Sequence, residues 1–290
     1  MLSSALRSRF AGATFLSGLV VLAALALTTT VASGTISTCQ ITDKAIKKSS
    51  YGSLAAAVAA ASAGDTLLIR GTCRGTTEIG KSLTLIGQQP SGYSAPTLRG
   101  QQLGSVLTID SGISVTINSL TITGGVASFG GGIYNVGTLT LQDSIICGND
   151  TYDFDGGGIY NAGTLTLHGS SSISFNDSAS GGGGISNHGT VTLADGSSIS
   201  GNRADELSGG GIDNSGTVTL KDSSSISGNT ANDAGGGIFN NGTVTLKDSS
   251  TISGNTANED GGGIYNNLGT LSGAVAGSNV YGNTPNDIVT

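Results

Sequence analysis

Six near-copies of one phrase fill the second half of the chain: Gly-Gly-Gly-Ile-x-Asn, then Gly-Thr-[Val/Leu]-Thr-Leu, then a segment built on Ser-Ile-Ser-Gly-Asn-Thr-Ala. Its first isoleucine stands at Ile133, Ile159, Ile185, Ile212, Ile238 and Ile264, a step of 26 or 27 residues. A fixed period of this size marks a solenoid, in which each repeat is one structural unit stacked on the next. No 3.6-residue periodicity runs through the repeat, so its unit is built from strands rather than paired helices.

Alternation within one copy, residues 209–233, divides inside from outside. Ile212, Val218, Leu220 and Ile226 are expected to point inward, sending Asp213, Thr217, Thr219, Ser225 and Ser227 outward. Three short strands joined by turns then make one coil of a three-sided tube. Four aliphatic side chains cannot offset the ordering of a whole coil, so contacts between coils must stabilise it. Two asparagine columns are suited to supply such contacts. Asn135, Asn161, Asn187, Asn214, Asn240 and Asn266 form one, and Asn149, Asn176, Asn202, Asn229, Asn255 and Asn283 form the other. An amide donates and accepts at once, so stacked copies can satisfy one another.

The flanks of the repeats are less regular. Arg7 and Arg9, the apolar run Leu16 to Leu27 and the small residues Val31-Ala32-Ser33 read as a signal peptide over 1–33, with an uncleaved membrane anchor as the alternative. Residues 34–50 read as polar and unpatterned. The alanine-rich stretch 53–63 reads as a short capping helix with Ser53 as N-cap and Gly64 as its stop, covering an otherwise open solenoid end. Irregular coils follow over 65–123 and six regular repeats over 125–290, all within one domain, 34–290.

Composition narrows the function classes. The chain holds 49 glycines among 290 residues but only 3 prolines, and glycine has no triplet period, which excludes collagen. Without residues 1–33 the balance is 10 Lys+Arg against 19 Asp+Glu, and no basic stripe offers nucleic acid a surface. In an exported chain Cys39 and Cys73 are expected to pair, closing a loop of about 35 residues and contributing about 3–4 kcal/mol. Cys147 stands where other repeats carry serine and is expected to be a free thiol without a role.

These residues resemble the right-handed parallel β-helix proteins of the pectate-lyase-like superfamily. The closest likeness is to exported repeat proteins with Gly-Gly-Gly-Ile-Tyr-Asn, Gly-Thr-Leu-Thr-Leu and Ser-Gly-Asn-Thr-Ala units. Ala-Gly-Asp-Thr-Leu-Leu-Ile (63–69) and Lys-Ser-Leu-Thr-Leu-Ile-Gly (81–87) match the way such proteins begin. The repeats are also similar to those of polymorphic outer-membrane proteins, with glycine in place of their alanine, and the likeness includes no C-terminal barrel. The resemblance implies an all-β fold: a single-stranded, right-handed parallel β-helix with coils of about 26 residues and a short N-terminal capping helix. It also implies a secreted or cell-surface protein.

Relatives of this fold include polysaccharide-degrading enzymes, but their Asn-Thr-Asp, Gly-His-Gly and Arg-Ile-Lys motifs do not occur here. His168 and His188 occupy dissimilar repeat positions without matching partners. Arg203 with Asp205 and Glu206 is the one dense cluster of the lyase type, and it reads as a solvated insertion. The acidic turns (Asp150, Asp153, Asp155, Asp205, Glu206, Asp233, Glu259, Asp260) are expected to align along one edge, solvated or recruiting Ca²⁺. Asp153-x-Asp155-Gly156 lacks the first and last ligands of an EF-hand loop.

Thr138/Thr140, Thr164/Thr166, Thr190/Thr192, Thr217/Thr219, Thr243/Thr245 and Thr270/Ser272 would form two rows, as in ice-binding solenoids. A further outward column holds Tyr134, Tyr160, Ser186, Asp213, Phe239 and Tyr265, whose rings suit a glycan. The sequence assigns no catalytic, cofactor-binding or metal-binding residue and no cofactor beyond that Ca²⁺ option. It points to a monomeric, non-catalytic, adhesin-like or structural protein meeting extracellular glycans or cell-surface components. A polysaccharide-degrading enzyme and an ice-binding protein are the alternatives.

Overall fold

A computed structural model describes residues 38–290; the expected leader or anchor at 1–33 lies outside the described residues. From Thr66 onward the chain winds as a parallel β-solenoid. One coil shows the plan. Ile133–Asn135 lies on a first face, Thr138–Gln142 on a second and Ile145–Cys147 on a third. These faces hold nine, eleven and nine strands. A fourth ladder of six two-residue strands, such as Asp150–Thr151, runs along the edge where a turn was expected. Small side chains make this possible: Thr151, Ser178, Ala204 and Ala231 are all buried there, letting the backbone run close to the core.

The register stacks like on like. Ile133, Ile159, Ile185, Ile212, Ile238 and Ile264 pair in succession, and each is fully buried. Val218, Leu220 and Ile226 also point inward, as the alternation predicts, while Thr217 is exposed. Asp213 departs from the outward expectation because neighbouring chain half-buries it. The irregular coils obey the same register, with Leu83 against Val115 and Val115 against Leu139.

Both asparagine columns form continuous amide ladders. Asn135 to Asn266 are joined by side-chain hydrogen bonds of 2.6–2.8 Å. Asn149 to Asn283 are joined at 2.9 Å, and Asn283 then donates to Asp287. A third polar column lies at the corner between the second and third faces, where Ser144, Ser171, Ser197, Ser224 and Ser250 are all buried. Their hydroxyls or amides bond carbonyls and neighbours at the turn, as Ser144 Oγ does to Gln142 O at 2.9 Å. Asp143, Asp195, Asp222 and Asp248 precede these corners in the left-handed backbone region that Asp tolerates.

At the N-terminal end the expectation of unpatterned chain over 34–50 is corrected within the described residues. Gln40–Asp43 and Lys48–Tyr51 are antiparallel strands that extend the second face, with Ile41 buried against Ile69. Only one large apolar residue marks the first of them, too little for a period-two pattern. The helix spans Leu54–Ala60; Ser53 Oγ caps it by accepting from Ala56 N, and Ala61 ends it before Gly64 is reached. It buries Leu54, Ala57 and Val58 over the first coil. Cys39 and Cys73 are joined in a disulfide, and Cys147 is a half-buried free thiol that burial pushes up in pKa. Among the described residues no helix is long and apolar enough to cross a membrane.

Candidate functional site

Aromatic residues make up only 4% of this chain, so their concentration in one place is informative. The outward column of the first face stacks Tyr134 on Tyr160, with centroids 5.0 Å apart and planes within 5°. Phe239 stacks on Tyr265 in the same way at 5.5 Å. Between the pairs the column carries Ser186 and Asp213, paired in the same register. The coil therefore forms without a ring at this position, and the rings are not demanded by the fold.

The loops entering the first face enlarge the upper pair into a cluster. Phe129 immediately precedes its triple glycine, and Phe154 stands two residues before the next. The two rings stack at 4.6 Å, and Phe129 meets Tyr160 edge-on at 5.2 Å. His188 packs against Tyr160 at 5.2 Å. Beside this cluster lies a cleft of about 460 Å³ lined by Leu103, Phe129, Tyr134 and Tyr152, with Gln102 and Ser105 among its polar groups. Tyr152 Oη lies 2.9 Å from Ser128 Oγ, which fixes the ring in the cleft wall. A smaller cleft of about 280 Å³ adjoins Phe239 and Tyr265, rimmed by Asp233, Glu259 and Asp260. Sequence reading found the column but missed Phe129, Tyr152 and Phe154. Their signal was position, just ahead of a triple glycine in the loop that folds onto the column.

The gap in the column is polar and tightly covered. Ser186 is fully buried rather than outward, and its hydroxyl has no hydrogen-bond partner. A point one Cβ bond out from Gly181 lies 3.0 Å from Asp213 Oδ2 and 3.6 Å from Asp155 Oδ1. Asp155 Oδ1 accepts from Gly181 N at 2.9 Å. Burial, and then the charge of Asp155, push the Asp213 carboxyl up to about 7.

The acidic turns align only in part. Asp150 and Asp177 stack in the edge ladder, Asp155 turns toward Asp213, and Glu259 meets Asp233, whose hydrogen bond and charge raise its pKa. Arg203 follows Asp177 in the ladder. Its guanidinium contacts Asp205 and lies 3.9 Å from Asp177 Oδ2, so the cluster is wider than Arg203, Asp205 and Glu206. Burial and then Asp205 raise the carboxyls of Asp150 and Asp177, with Arg203 opposing at Asp177. Among the described residues no three His, Cys, Asp or Glu side chains are grouped to hold a metal ion.

His168 Nδ1 lies 2.9 Å from Asp195 Oδ2 at the end of a second-face strand, whereas His188 packs on Tyr160, so the histidines are not brought together. The threonine rows do form. Thr138, Thr164, Thr190, Thr217, Thr243 and Thr270 align in one, and the row from Thr140 to Ser272 aligns beside it. Comparison of the chain with protein-family models, with curated proteins and with solved structures finds no match.

Proposed function

We propose that this chain is a non-catalytic β-helix protein of the pectate-lyase-like kind, related to the polymorphic outer-membrane repeats. It is exported to the cell surface or secreted, and it acts as an adhesin-like scaffold that binds glycan through its first face. The reading is carried by the cleft walled by Phe129, Tyr134 and Tyr152. Aromatic walls with a few polar groups suit a pyranose, which is apolar on its ring face and polar around its rim. Rings are absent from the same column at Ser186 and Asp213, so their concentration beside a cleft favours a ligand over packing alone.

A glycan array probed with the full chain tests this. Tyr134→Ala and Tyr152→Ala are each expected to weaken the binding found by about tenfold, while thermal stability changes little. Binding that survives both substitutions unchanged would place the ligand elsewhere and end the reading.

The paired threonine rows on the second face favour ice binding as a second reading. It requires thermal hysteresis that Thr219→Tyr abolishes.

A further inference from the structure

Arg74 and Arg99 are direct neighbours in the register of the third face. Both are exposed, and neither side chain makes an ion pair or hydrogen bond with another described residue. The column beyond them passes through Thr123, Ser174 and Ser200 without meeting a carboxylate. Like charges placed opposite each other on adjacent strands are destabilising. The chain has 19 acidic residues against 12 basic ones, yet none of the acids is set against this pair. Arg203 and Lys221, by contrast, each have a carboxylate.

The two arginines line a cleft of about 250 Å³ together with Gln101 and Gln102. Gln102 also lines the aromatic cleft, so the two depressions share a wall. Its backbone is held in the left-handed region at φ 59°, uncommon for a residue with a long side chain. Strain of this kind concentrates where a ligand is gripped.

We infer that Arg74 and Arg99 form an anion subsite of the proposed glycan groove, taking a sulfate ester of a sulfated saccharide whose ring lies toward Tyr152. This rests on the glycan-binding reading. A guanidinium presents a fork of donors, and one fork already engages both oxygens of a carboxylate. Two forks one strand apart, about 4.8 Å, are better matched by the three terminal oxygens of a sulfate. Binding of the anion also removes the repulsion between the arginines, a gain that a neutral saccharide cannot supply.

The proposal is tested by calorimetric titration of the full chain with a sulfated oligosaccharide, its desulfated counterpart, and a uronate oligomer of the same length. The sulfated ligand is expected to bind at least about tenfold more tightly than either of the others, and less tightly as salt is raised. Arg74→Ala/Arg99→Ala is expected to abolish that preference, and Arg99→Lys to weaken it through loss of the fork. Arg203→Ala removes one positive charge elsewhere and is expected to leave it intact. Neither Arg74 nor Arg99 is bonded to another described side chain and the two repel each other, so the double substitution should melt at or slightly above the parent protein. Equal binding of sulfated and desulfated ligands, or a preference that survives the double substitution, overturns the subsite while leaving the glycan reading in place. Equal binding of the uronate overturns the sulfate assignment. No binding of any saccharide, here or on the array, overturns both.

Discussion

Asn202 Oδ1 accepts from both the backbone N–H and the side-chain amide of Asn176, at 3.0 and 2.9 Å. Asn202 repeats the arrangement with Asn229 and also donates to Ile173 O. One side chain thus ties its own coil to both neighbours, through groups that are all away from water. Asn202→Ala strands the Asn176 backbone N–H and takes a donor from the Ile173 carbonyl, while the Asn176 side-chain amide keeps Ile146 O and Ser174 O; a stranded buried group costs about 1–3 kcal/mol. The expected loss is about 2–3 kcal/mol by chemical denaturation. Asn241→Ala breaks only the exposed bond from Asn267 and should cost under about 0.5 kcal/mol.

Gly211 is needed for close approach rather than for an unusual backbone angle. A Cβ there would lie 2.5 Å from Gly237 O and 3.1 Å from both Asn229 Nδ2 and Ile226 Cγ2. Gly211→Ala must push adjacent coils apart against a backbone oxygen, which should destabilise by more than about 3 kcal/mol. Gly228 has nothing within 4 Å of its Cβ position, but its φ of +63° suits glycine. Gly228→Ala should cost only about 1 kcal/mol.

Much of this architecture was legible because stacked coils turn spatial columns into sequence periods. Ile185, Ile212 and Ile238 share one internal file, and the asparagine columns could be written down by counting. What escaped the count was non-periodic. Ser186 looks outward by alternation, but the loop around Gly181 covers it, and coverage depends on tertiary path rather than on period. Arg74 and Arg99 are 25 positions apart in coils whose loops differ in length, so no repeat aligned them; only the strand register did. The fourth ladder is indistinguishable from a turn in the sequence because its strands are two residues long.

Phe175 occupies a turn position where Gly148, Gly201, Gly228 and Gly254 adopt φ of 61–64°, and it takes the same conformation at 53°. A left-handed conformation costs a non-glycine residue about 1–2 kcal/mol, and the ring gains little in return, being 74% exposed. Phe175→Gly is therefore expected to raise stability by up to about 1 kcal/mol, since the flexibility glycine adds to the unfolded chain offsets part of the relief. A lower melting temperature would show that the ring's contact with Gly201 outweighs the strain.

The Cys39–Cys73 disulfide ties the first described residues to the first coil of the third face across a sequence separation of 34. Loop entropy gives about 3–4 kcal/mol for a closure of this length. Cys39→Ser/Cys73→Ser should lower the denaturation midpoint accordingly and increase hydrogen exchange in Gln40–Tyr51 and the helix before the distal coils. Cys147→Ser should leave both unchanged, because serine occupies the equivalent place at Ser174 and Ser200.

Asp213 gives the fold a pH dependence whose sign can be worked out. Its carboxyl titrates near 7 in the folded chain, above the ordinary value of 3.8, because burial and Asp155 disfavour the charged form. Between these two values the native state holds a proton that the unfolded chain has released, so stability falls as pH rises from about 4 to about 7. Above that window the full penalty is present, on the order of 2–4 kcal/mol. Asp213→Asn keeps the shape and removes the charge. It should therefore match the parent protein near pH 4 and exceed it at pH 8, by about 5 °C or more in melting temperature. The difference between the two proteins, followed across pH, isolates this group from every other titration in the chain. A difference that does not change between pH 4 and pH 8 would mean that Asp213 is already ionised in the fold, with solvent or a cation reaching it beneath the Gly181 loop.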